Sequence, residues 1–80
     1  MLPEMLDWII SNPGVLGGKP CIRGTRISVE HILELFASGA GREDILRAYP
    51  QVTQEGLMAA LQYAARSLKN EIIWDLKIPA

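Results

Sequence analysis

"SVEHILELFASG", residues 28–39, is where the chain changes period. Val29, Ile32, Leu33, Phe36 and Ala37 fall at i, i+3, i+4, i+7 and i+8, one stripe of an amphipathic helix. Ser28 stands where an N-cap belongs, because its hydroxyl can accept from an amide of the first turn. Gly39 supplies the left-handed residue on which helices commonly stop. The same period recurs twice downstream. Residues 42–48 form a second helix, with Glu43 and Asp44 at the positive end of its dipole and Ile45, Leu46 and Tyr49 turned inward. Pro50 forbids its continuation. Thr53 then caps a third, longer helix reaching about residue 70, in which Leu57, Ala60, Leu61, Ala64 and Leu68 recur at helical spacing.

Upstream of Ser28 the pattern is short and broken. Trp8 to Ile10 and Cys21 to Ile22 read as extended pieces, joined by Asn12-Pro13-Gly14 and Gly17-Gly18 turn signals into an irregular β-hairpin. The expectation is therefore one mainly α domain over residues 1–80. It comprises a β-hairpin and loop segment at 1–27, a three-helix core at 28–70 with the hairpin as an appendage, and an apolar tail at 71–80. The tail, with Ile72, Ile73, Trp74, Leu76 and Ile78, carries more apolar surface than so small a domain leaves in water. Either its own core or a partner should cover it.

The bulk composition bounds the rest. Eighty residues bury only about 60 to 65% of the surface of the unfolded chain, so burial is often completed by a partner. With 49% hydrophobic residues, 21% charged residues and net charge −1, the chain is globular and lacks the general cation excess of many nucleic-acid binders. A single cysteine, Cys21, rules out an internal disulfide framework. No run has the length of a membrane span, and "MLPEMLDWII" lacks the cationic start of a signal peptide, which points to the cytoplasm.

Candidate chemistry concentrates in "GGKPCIRGTR", residues 17–26, where Gly17, Gly18, Pro20 and Gly24 surround Lys19, Arg23 and Arg26. Glycines allow close approach of a ligand, and the cations could hold phosphates or the carboxylates of a nuclease. The competing reading is structural: the glycines supply positive φ for turns, and Arg26 pairs with Glu30 on the following helix turn. Nucleotide hydrolysis is disfavoured, because Lys19 is followed by Pro20 rather than the Ser or Thr of a P-loop.

The second candidate is a helix-turn-helix made of residues 42–48, a turn at 49–53 and the helix from 54 onward. If Leu57, Leu61, Ala64 and Leu68 face the core, then Glu55, Ala59, Gln62, Tyr63, Arg66 and Lys69 face outward. Gln62 could then read an adenine edge and Arg66 a guanine or phosphate, with Arg42 and Arg47 on the backbone. Glu55 would repel phosphate, and the alternative is an ordinary solvated face. His31, Cys21 and the scattered carboxylates have no zinc-ligand spacing and no nucleophile triad stands out, so no enzyme, metal or cofactor is expected; His31 reads as a plain helix residue and Cys21 as a small apolar filler.

Two segments, "PGVLGGKPCIRGTRISVEHILELFASG" and "REDILRAYPQVTQEGLMAALQYA", resemble the signature of the domain-of-unknown-function 433 family across about residues 8 to 68. The most specific part is Gly18-Lys19-Pro20 followed at fixed spacing by Ile22-Arg23-Gly24-Thr25-Arg26 and an amphipathic helix. The resemblance implies a homeodomain-like or winged-helix-like fold and a VapB-like antitoxin, encoded beside a PIN-like ribonuclease toxin that it neutralises by direct binding. It also implies a homodimer that holds operator DNA. Lys19, Arg23 and Arg26 would meet the acidic nuclease or phosphates, Arg42, Gln62 and Arg66 would face DNA, and Ile73, Trp74 and Leu76 would contact an oligomer or partner. A stand-alone DNA-binding regulator and a small adaptor dimer are the alternatives. Gly56 departs from the acidic or helix-favouring residue usual at its place, at a propensity cost of up to about 1 kcal/mol.

Overall fold

The computed structural model describes residues 7–69, so Ile73, Trp74 and Leu76 and the whole apolar tail lie outside the described residues. The chain runs through strand β1 (Ile9–Ile10), a 3-10 turn (Leu16–Gly18), strand β2 (Cys21–Ile22) and helices α1 (Val29–Ala37), α2 (Arg42–Ala48) and α3 (Gln54–Lys69). β1 and β2 pair antiparallel, Ile9 opposite Ile22 and Ile10 opposite Cys21. Among the described residues the architecture is mainly helical, with these three helices and a short two-stranded hairpin.

The helix ends are set by the residues that can satisfy orphan backbone groups. Ser28 Oγ accepts from His31 N at 2.9 Å, and Thr53 Oγ1 accepts from Gly56 N at 3.0 Å. At α2 the Asp44 carboxylate reaches back to Gly41 N at 2.8 Å, the acidic half of a capping box. α1 stops in a Schellman arrangement: Ala40 N donates to Leu35 O and Gly39 N to Phe36 O, with Gly39 at φ +103°. A side chain at Gly39 would be strained there, which is why the stop falls on glycine.

α1 packs on α3, and both strands pack on α3 as well. The hairpin is therefore part of the core rather than an appendage. Ile22 is fully buried beside Ile32, Ile45 and Leu57, with Ile27, Val29, Val52 and Ala60 completing the cluster. The face of α3 is also turned from the one that periodicity indicates. Ala59 is buried and Tyr63 half-buried against the core, whereas Leu68 is 68% exposed. The cause is Gly56, itself buried: a Cβ built there would lie 3.0 Å from Ile22 Cγ2 and 3.4 Å from both Thr53 Oγ1 and Trp8 Cε3. The first turn of α3 meets the hairpin at backbone distance, which only glycine permits without a neighbour moving. That contact accounts for the propensity cost of glycine in a helix.

Candidate functional site

Residues 21–28 form a clasped turn. Ile22 N donates to Ile27 O at 3.0 Å, Thr25 Oγ1 donates to Ile22 O at 2.7 Å, and Ile27 N donates to Thr25 Oγ1 at 3.0 Å. Gly24 sits at φ +80°, and Cys21 bridges Ser28 across the base. Earlier in the loop, Gly17 and Gly18 are at φ +68° and +92°, and Ser11 Oγ donates to Gly18 O. Glycines and threonine are thus structural members of the motif, and Ile22 and Ile27 are its anchors. Arg23 and Arg26, both exposed, are what the turn presents.

The three loop cations have different surroundings. Arg23 lies over the Trp8 ring, its guanidinium carbon 4.9 Å from the centroid, a cation–π contact that keeps the charge at the surface. Lys19 Nζ donates to Glu30 Oε1 at 2.9 Å, and this hydrogen bond and charge hold its pKa above the ordinary lysine value. Glu30 therefore pairs with Lys19, not with Arg26. The reason is positional: Val29 N donates to Pro20 O at 2.9 Å, which lays Lys19 beside the first turn of α1. Among the described residues no ion pair includes Arg26.

Lys19 and Arg26 line one open hollow of about 470 Å³ with Leu16, Ser28, Glu30, His31 and Glu34. Its charges are mixed, two cations facing two carboxylates, so it is no concentrated anion cradle. His31 Nε2 shares a 3.2 Å hydrogen bond with Tyr49 Oη, and the rings meet edge to face at 5.9 Å. This link from α1 to the residue closing α2 has no local signature, since the partners are 18 positions apart.

A second, apolar groove of about 280 Å³ runs between α1 and α3, lined by Pro20, Val29, Leu33, Tyr63, Ala64 and Leu68 among others. Leu33 is 41% exposed in it. Helical periodicity places Leu33 in the core stripe of α1 and Leu68 in that of α3, which predicts no groove between them.

The other candidates lie apart from these hollows. Arg42 is exposed in the first turn of α2, and Gln62 and Arg66 are exposed on α3, as expected of an outward face; Ala59 and Tyr63, expected beside them, turn inward. Arg47 is 3.6 Å from Asp44, an exposed pair within α2. Among the described residues no group of His, Cys, Asp and Glu is arranged to hold a metal ion, and no helix is long and apolar enough to cross a membrane.

A family model described as "Protein of unknown function (DUF433)" matches residues 9–64. The uncharacterized protein y4eO of Sinorhizobium fredii (strain NBRC 101917 / NGR234) is 38% identical over 56 residues, 70% of this chain and 25% of that protein, so the chain spans about a quarter of its length. The crystal structure of a DUF433 member protein from Anabaena variabilis ATCC 29413 is similar with a TM-score of 0.75 at 34% identity, over 85% of this chain and 67% of that chain.

Proposed function

The chain belongs to the DUF433 family, and from that premise we propose that it is a non-enzymatic, antitoxin-like module of the cytoplasm that neutralises a PIN-like ribonuclease by direct binding. One observation supports this most. Among the described residues the clasped turn offers Arg26 to solvent with no ion pair, beside a Lys19 held by one exposed lysine–glutamate pair. An exposed pair of this kind exchanges partners at little cost. Carboxylates gathered around a nuclease metal site are suited to take both cations, and Arg pairs with carboxylate in a bidentate fork.

The test is co-expression with a PIN-like ribonuclease encoded beside this chain. A stable complex and loss of nuclease activity are expected, and the double variant Lys19→Glu, Arg26→Glu should abolish both while α-helical circular dichroism is retained. No complex with the native chain would sink the reading. The homodimer that the resemblance implies is read from the mass of the purified chain.

Operator DNA is the second reading, favoured by the exposure of Gln62 and Arg66 on α3. A phosphate-based complex weakens steeply with salt. Arg66→Ala should then lower affinity for DNA and leave the ribonuclease complex intact.

A further inference from the structure

We propose that the C-terminal residues of this chain dock in cis along the apolar groove between α1 and α3, with Trp74 seated between Leu33 and Ala64. Three observations carry this. The first is the groove, which is open among the described residues, apolar throughout its middle, and bordered by a 68% exposed Leu68. The second is a sequence pattern: Ile72, Trp74, Leu76 and Ile78 alternate with Ile73, Asp75, Lys77 and Pro79. In an extended segment alternate residues share a face, so this pattern would give one wholly apolar side, with Asp75 and Lys77 on the other.

The third is connectivity. The described part of α3 runs to Lys69, next to Leu68 at the groove's own rim, and residues 70–80 follow from there. Trp74 is six residues beyond Leu68 and can reach about 20 Å from it. The helix rise between Tyr63 and Leu68 is only about 7.5 Å, so the chain is long enough to turn back over the whole groove. A segment tethered so closely experiences an effective concentration of order mM, roughly a thousandfold above a second copy at micromolar concentration. That margin selects the chain's own tail over a tail from another copy. The proposal does not rest on the antitoxin reading, whose cations Lys19 and Arg26 line the other hollow; it takes Trp74 for the chain's own groove instead of for a partner, and Glu30 borders both hollows.

The experiment uses the 80-residue chain, alone in solution, mixed from separately 15N-labelled and 13C-labelled preparations. Trp74 indole protons should show NOEs to the Leu33 and Ala64 methyls of the same chain, and the Trp74 amide should have an order parameter of about 0.8. Leu33→Asp should remove those NOEs and drop the order parameter below about 0.6 while α-helical circular dichroism is retained. Leu68→Asp serves the same purpose should Leu33→Asp unfold. NOEs only between differently labelled chains, NOEs only after a ribonuclease partner is added, or none at all would each overturn the proposal.

Discussion

The two ends of α3 solve opposite packing problems. At its first turns Gly56, Leu57, Ala59 and Ala60 are buried, and the backbone comes close enough to the hairpin that a Cβ at Gly56 would crowd Ile22 and Trp8. At its last turns Ala64 is half-buried, Leu68 is 68% exposed, and a groove opens toward Leu33. Both ends carry apolar residues at helical spacing, so composition does not separate them. Distance of approach does. Small residues let the start of the helix approach the β-hairpin, and Tyr63 lines the groove toward its far end. A single helix therefore both closes the core and leaves one side unfinished.

The largest effect should come from emptying the closed end. Leu57 is fully buried, and Leu57→Ala should cost about 2 to 5 kcal/mol by chemical denaturation, through lost transfer free energy and a cavity that rigid neighbours do not fill. Against an expected total of about 5 to 15 kcal/mol, that is a large fraction of the whole stability. Gly56→Val probes the same contact from the opposite side, by overfilling, and should cost about 1 to 3 kcal/mol. Alanine would be less informative. Its methyl, 3.0 Å from Ile22 Cγ2 and 3.4 Å from Thr53 Oγ1 and Trp8 Cε3, is opposed by a propensity gain of up to about 1 kcal/mol, whereas valine adds two further methyls to that crowded position. A Gly56→Val protein as stable as the native one would mean that hairpin and helix do not meet as described.

The open end should respond less. Leu33→Asp is expected to lower global stability by about 1 kcal/mol or less, because what it releases opens locally rather than with the core. A loss equal to that of Leu57→Ala would erase the distinction between the two ends. This asymmetry also explains what was legible beforehand. Ser28, Thr53, Gly39 and Pro50 act through neighbours in sequence, and the helices begin and end where those residues dictate. Cys21 and Ile22 pair with β1 as their turn signals indicate. The orientation of α3 depends instead on Gly56 meeting Ile22, 34 positions away by their numbers, and no local rule relates them. The charged loop divides the same way. Its glycines and Thr25 have local reasons, but whether Lys19 or Arg26 takes Glu30 depends on the Pro20–Val29 hydrogen bond.

That last pairing yields the smallest expected effect and a sharp sign. The Lys19 pKa is raised in the folded chain by its hydrogen bond to Glu30 and by the charge of that carboxylate. A lysine whose folded pKa exceeds its unfolded value binds more protons when folded, so the pair's contribution is fully present below the unfolded value of about 10.4 and fades as pH rises through the folded one. Tyrosines titrate in the same range, so the informative quantity is a difference. The melting temperature of the native chain minus that of Lys19→Met should be constant from neutral pH to about pH 10, then shrink toward zero above it. Added salt should shrink it at neutral pH as well, because both partners are exposed. A difference that stayed constant to high pH and high salt would mean that the ion pair contributes nothing to it, and the cation would then be free for a partner without first giving up Glu30.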